Sequence, residues 1–171
     1  TDEKAIQKLD VPNVEEKLGY VFNAVQSIKR ALNGRVPLIG FAGSPWTLAT
    51  YMVEGQGGTG FLNIKKMLYS RPDLMHHILK VTAESVSIYL AKQIEAGADA
   101  VMIFDSWGGA LSHHEYESHS LNYMKVIIAN LNLMGFESTP KIIFTKGGGQ
   151  WLDLQAKSGA DALGIDWQTN L

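Results

Sequence analysis

Chemistry in this chain has to come from acids, hydroxyls, phenols, amines and imidazoles, because the sequence contains no cysteine. Two acids stand at the ends of apolar runs: Asp105, followed by Ser106 and Trp107, and Asp166, followed by Trp167. An acid at such a place can support a site residue from behind or cap the surface, and a serine can hold a ligand or cap a turn; the residue types alone leave these open. The run His113-His114-Glu115-Tyr116-Glu117-Ser118-His119 invites a metal reading but is not H-E-x-x-H. On a helix, five residues separate His114 and His119 by about 140°, which points them away from a shared zinc. Lys146-Gly147-Gly148-Gly149 lacks the G-K-[ST] order of a phosphate loop and reads as a turn, although the Lys146 amine can reach an anion from a rim. Tyr51 stands inside the glycine-bounded stretch 40–58, where helical spacing alone makes it a core aromatic.

The elements that must position these groups follow from periodicity. Apolar residues at 36–41, flanked by Gly34 and Gly43, predict a buried strand. Ser44 can then cap a helix with Pro45 at its first position, continuing over 46–53. Such strand-to-helix turns form the ligand-bearing rim of parallel α/β folds. The glycines after Glu54, Gly57 and Gly58 among them, suit a loop over a pocket. Residues 1–12 read as a loop or linker, and Asn13 with Glu16 as a capping box for a helix whose face is Leu18, Val21, Val25, Ile28 and Leu32. A short helix is expected over 61–68. Ser70 is then the expected cap of a long helix that ends at Gly97 and turns Leu74, Ile78, Val81, Ser85 and Ile88 to one side. Strands are predicted at 98–104, 141–145 and 162–165, with a capping box at Ser112 and Glu115 opening a helix to Gly135, and a last helix over about 151–157.

One pattern recurs. Gly97-Ala98-Asp99-Ala100, leading to Asp105, is echoed by Gly159-Ala160-Asp161-Ala162, leading to Asp166. Each is a helix end, a strand and then an acid. Apolar strands joined by helices need cover on both faces, which implies a parallel sheet with right-handed crossovers. The expected fold class is therefore α/β, a (β/α)8 TIM barrel of which this chain supplies roughly half: about four parallel strands with covering helices, in one domain spanning 1–171. A full barrel needs about 250 residues, and an open four-stranded sheet is the other reading.

Composition narrows the function classes. A chain 46% hydrophobic with net charge -2 offers no general pull toward nucleic acid or anionic membrane. No Lys/Arg cluster and no apolar run of about 20 residues occurs, so neither nucleic acid nor membrane is an expected partner. Without cysteine there can be no disulfide or thiolate zinc site, which fits a reducing compartment. The start, Thr1-Asp2-Glu3-Lys4, lacks Met, a basic region and an apolar region, and reads as internal.

The segment Phe41-Ala-Gly-Ser-Pro-Trp-Thr-Leu-Ala-Thr-Tyr-Met-Val-Glu-Gly55, with Ile103-Phe-Asp-Ser-Trp107 and Gly164-Ile-Asp-Trp167, resembles the uroporphyrinogen decarboxylase family in order and spacing across nearly the whole chain. The resemblance implies a homodimeric, cytoplasmic enzyme that works without a cofactor or metal on a (β/α)8 barrel. It would convert the four acetates of uroporphyrinogen III to methyls, giving coproporphyrinogen III. The family's catalytic, substrate-binding tyrosine falls on Tyr51 and its carboxylate-binding hydroxyl residue on Ser106, while its aromatic walls fall on Phe41 and Phe104. Its central aspartate, its arginine segment and its late histidine have no counterpart here. Trp46, Trp107 and Trp167 are read as packing residues.

Two rivals bear on this expectation. A corrinoid or thiol methyltransferase of the same superfamily needs a His-x-Cys at a strand end, where this sequence has Phe144 and Lys146. A half barrel could also be a binding fragment in its own right, against which stand its two exposed sheet edges.

Overall fold

The computed structural model describes residues 3–55 and 60–170. Four parallel strands lie side by side in chain order: β1 (Ile39–Gly43), β2 (Ala100–Asp105), β3 (Lys141–Thr145) and β4 (Ala162–Gly164). Between them run α3 (Pro45–Glu54), α4 (Leu62–Ser70) and the 24-residue α5 (Pro72–Glu95), then α6 (His113–Tyr116) and α7 (Asn122–Leu133), and finally the short α8 (Leu152–Ala156). Two helices, α1 (Glu3–Gln7) and α2 (Val14–Leu32), precede the sheet. β1 begins three residues later than the apolar run suggests and reaches Gly43. Pro37 and the exposed Val36 belong to the approach instead.

Alternation sorts the strand residues into two faces. Ala42, Val101, Ile103 and Ile143 are buried against the helices. Phe41, Met102, Phe104 and Phe144 line the opposite face, with Phe41 61% exposed. The core thus lies between sheet and helices, with Met75, Ile78, Leu79, Val86 and Leu90 of α5 at its centre. That buried stripe differs from the expected one, since Val81, Ser85 and Ile88 are only half-buried. Packing on the sheet, α2, α3 and α7 at once rotates α5 to favour its longest apolar rows. Ser70 does not cap α5: it is the last residue of α4 and bonds Lys66 O, and Arg71 occupies the junction with its guanidinium on Asp73 and Glu3. The capping roles of Asn13, Ser44 and Ser112 are as expected. Ile28, placed on the inner face of α2 by its spacing, is 48% exposed.

The repeated Gly-Ala-Asp has one structural meaning at both sites. Asp99 accepts the Leu38 N–H on its side chain at 2.7 Å, while its own N–H donates to Leu38 O at 2.7 Å. Asp161 does the same to Lys141, at 2.8 Å and 2.9 Å. Each clamp fixes where one strand starts beside another. Gln93 of α5 makes a comparable two-way bond to the Phe41 backbone, 3.1 Å to its N–H and 3.0 Å to its oxygen. It needs glycine at position 40, where a Cβ would stand 2.8 Å from its oxygen.

Candidate active site

The strand ends gather Gly43-Ser44, Asp105-Ser106-Trp107 and Thr145-Lys146 at one rim. Asp105 continues the helix-facing row of Val101 and Ile103, so its carboxylate is fully buried. Ser44 and Thr47 donate to its Oδ1 at 2.7 and 3.1 Å, and Ser120 and Thr145 to its Oδ2 at 2.7 and 3.4 Å. Burial raises its pKa, and the four hydroxyls oppose that rise. A Cβ at Gly108 would fall 1.9 Å from Asp105 Oδ2, so only glycine lets the chain turn over the carboxylate. Of the two sequence readings of Asp105, a supporting partner behind the site or a surface cap, burial excludes the cap, and the residue ties together four elements from below.

That tie aims α3. Ser44 caps the helix through the Thr47 N–H at 3.0 Å. Thr47 Oγ1 accepts the Trp107 N–H at 3.3 Å, and the Trp46 indole donates to Trp107 O at 3.0 Å. Tyr51 lies one turn beyond Thr47 on the same helical face, and its ring meets Trp107 edge-on at 6.4 Å. Tyr51 is 44% exposed, and its hydroxyl has no hydrogen-bond partner among the described residues. Phe61 packs on Trp107 from another side, with centroids 4.9 Å apart. It does so from a left-handed backbone, φ 60°, that a bulky residue rarely adopts. Trp107, read from sequence as packing, is thus the hub of the rim, while Trp167 is 90% exposed and packs on nothing comparable.

Ser106, half-buried, lines a hollow of about 290 Å³ with Phe61, Trp107, Ala110, Lys146 and Gly147. The Lys146 ammonium sits 5.8 Å from the Trp107 ring centroid. Phe41 and Phe104 meet edge to face at 5.8 Å on the open sheet face, where Phe144 extends the row at 5.7 Å from Phe104. Ser106 and Tyr51 therefore come to one rim through Trp107, and Phe41 and Phe104 form an aromatic floor beside it. Asp166 spends its carboxylate on the Gly147 and Gln168 N–H groups and the Thr169 hydroxyl, and the first of these lowers its pKa most. The expected glycine loop at Gly57 and Gly58 lies outside the described residues.

The histidines form a different cluster. Residues Glu117–Leu121 make one turn of π-helix, which removes the regular α spacing assumed for His114 and His119. His119 is buried and stacks on His76 at 4.7 Å, and the Glu115 carboxylate lies 2.8 Å from its Nδ1 without hydrogen-bond alignment. Burial, then the neighbouring His76, lowers its pKa. Among the described residues no group of three His, Cys, Asp or Glu side chains could hold a metal ion. A groove of about 790 Å³ between α5 and α7 opens beside His76 and Tyr123, on the helix layer rather than among the strand ends.

The family described as uroporphyrinogen decarboxylase (URO-D) matches residues 1–171. The chain belongs to the uroporphyrinogen decarboxylase family. It is 62% identical over 171 residues to the uroporphyrinogen decarboxylase of Methylobacillus flagellatus, covering 99% of this chain and 48% of that one. It is 57% identical to the enzymes of the same name from Nitrosospira multiformis and Cellvibrio japonicus, with 47% and 48% of their lengths covered. The chain thus spans about half the length of the curated relatives it matches. A methyltransferase from Methanosarcina mazei superposes with TM-score 0.78 at 20% identity, over 94% of this chain and 46% of the other. That likeness is one of fold, and this member of the uroporphyrinogen decarboxylase family supplies about half of a (β/α)8 barrel. Phe61 and Trp107 join the site by contacts that cross between elements, Trp107 with only its strand-end position as a sequence signal, whereas Lys146 stands on the rim where the sequence placed it.

Proposed function

We propose that the protein to which this chain belongs decarboxylates the four acetate side chains of uroporphyrinogen III to give coproporphyrinogen III and four CO2. The observation that carries this reading is the 62% identity over 171 residues to the Methylobacillus flagellatus protein of that name. As the family resemblance implies, the enzyme is read as a cytoplasmic homodimer that works without a cofactor.

Each step replaces a C–CO2 bond by a C–H bond, consuming one proton. A pyrrole ring protonated at carbon is the electron sink for the pair left by CO2, and a proton then reaches the methylene carbon as the ring returns its own. The protein's task is to orient the acetate and to favour the transient ring cation. Tyr51 suits the first part, as a directional donor whose oxygen has no hydrogen-bond partner among the described residues. Ser106 offers a compact hydroxyl inside the hollow for a carboxylate. Phe41, Phe104 and Phe144 give an apolar floor for a macrocycle.

Anaerobic incubation of the full-length enzyme with uroporphyrinogen III tests the reading. The expected result is four CO2 per macrocycle and a tetra-acid product. Intact substrate after long incubation would sink it.

A further inference from the structure

We propose that Lys146 is a substrate-binding residue of this site, holding a carboxylate of the substrate together with Ser106; this rests on the decarboxylase reading above. The register pairs Asp105 with Thr145, so the next residues, Ser106 and Lys146, leave neighbouring strands side by side. The Lys146 backbone is pinned at both ends, its N–H to Asp105 O at 3.1 Å and its oxygen from Gly109 N–H at 3.2 Å. The root of the side chain is therefore fixed. Its ammonium sits 5.8 Å from the Trp107 ring centroid, and an indole face is a favourable seat for a cation.

Among the described residues no carboxylate lies within 4.0 Å of Lys146 Nζ, whereas Lys29 and Lys92 are both ion-paired. Lys141, also on β3, is spent on the Phe136, Glu137 and Thr139 carbonyls. Asp166, one strand over, is committed to Gly147, Gln168 and Thr169. An unpaired surface lysine is ordinary when it projects into solvent. Lys146 is exposed as well, but it borders, with Ser106 and Trp107, a hollow of about 290 Å³, and the Trp107 indole N–H is shielded with no acceptor among the described residues. A cation, a hydroxyl and an apolar wall around that volume suit one acetate or propionate arm of a polycarboxylate, not a whole macrocycle.

The test uses the full-length enzyme with Lys146→Met, Lys146→Gln and Lys146→Arg, assayed on uroporphyrinogen III across a range of salt concentrations. Lys146→Met is expected to raise KM about tenfold, because a charge-assisted contact is lost, with kcat within about threefold. The decline of kcat/KM with salt should flatten, and Lys146→Arg should restore most of the KM. Lys146→Gln, which keeps most of the stem, gives the same comparison should the Met variant not fold. Unchanged KM and salt dependence in a neutral variant would overturn the role of Lys146, as would an Arg variant no better than Met. A wild type that releases no CO2 would overturn the decarboxylase reading, and with it the substrate named here.

Discussion

Tyr51 differs from phenylalanine by one oxygen that makes no hydrogen bond among the described residues, so removing it breaks none of their bonds. In the full-length enzyme Tyr51→Phe should unfold within about 1 kcal/mol of wild type, because ring packing on Trp107 is kept. Turnover should fall at least about tenfold if the phenol orients the acetate. Unfolding curves and single-turnover rates measure the two separately, and an unchanged rate would reduce Tyr51 to packing. Asp105 is the reverse case, a residue whose every acceptor site is taken up internally. Strand alternation from Val101 through Ile103 places it among the helices, and that much could be read from sequence. Its four partners could not, since they come from positions as far off as Ser44 and Thr145.

Among the elements, α3 was the most legible, because its cap, first proline and length are all local properties. The junction of α4 and α5 was not: Ser70 has the right residue type, but Arg71 reaches Glu3 of α1 and so decides where the chain bends. The π turn at Glu117–Leu121 was equally hidden, as the displacement of one residue leaves no mark on the apolar pattern. That turn carries a pH dependence. His119 faces His76 of α5, which itself bonds the Tyr123 hydroxyl, and Glu115 and His114 from its own helical run, and burial holds its pKa below the ordinary 6.5. Its neutral form is the folded one, so no penalty exists above 6.5. As pH falls through that value the unfolded chain gains a proton that the fold resists, and stability is lost until the folded pKa is reached. His119→Leu should therefore gain on wild type in urea unfolding between pH 7.5 and 5.5. Parallel stability curves for the two proteins would exclude this assignment.

On the scale of the whole molecule, four parallel strands in chain order leave β1 and β4 as unpaired edges among the described residues, with Phe41, Phe104 and Phe144 on the open face. The repeated Gly-Ala-Asp and the apolar strands made that architecture readable, since a parallel sheet with helices on one side only needs further cover. What lies across the open face was not readable from these residues. Such a surface, isolated, favours association over catalysis. The 171-residue chain alone is expected to elute well above 18.8 kDa and to release no CO2 from uroporphyrinogen III. A monodisperse, active monomer would contradict both the half-barrel assignment and the division of labour within the site.

The aspartate clamps also bear on how far such sequences can drift. Asp99 and Asp161 address the main chain of the neighbouring strand, at residues that each follow a proline, Pro37 and Pro140. Because they read an amide and a carbonyl rather than any side chain, the vocabulary at positions 38 and 141 is left open to evolution as far as the clamp is concerned, and only a second proline, having no N–H to offer, is barred.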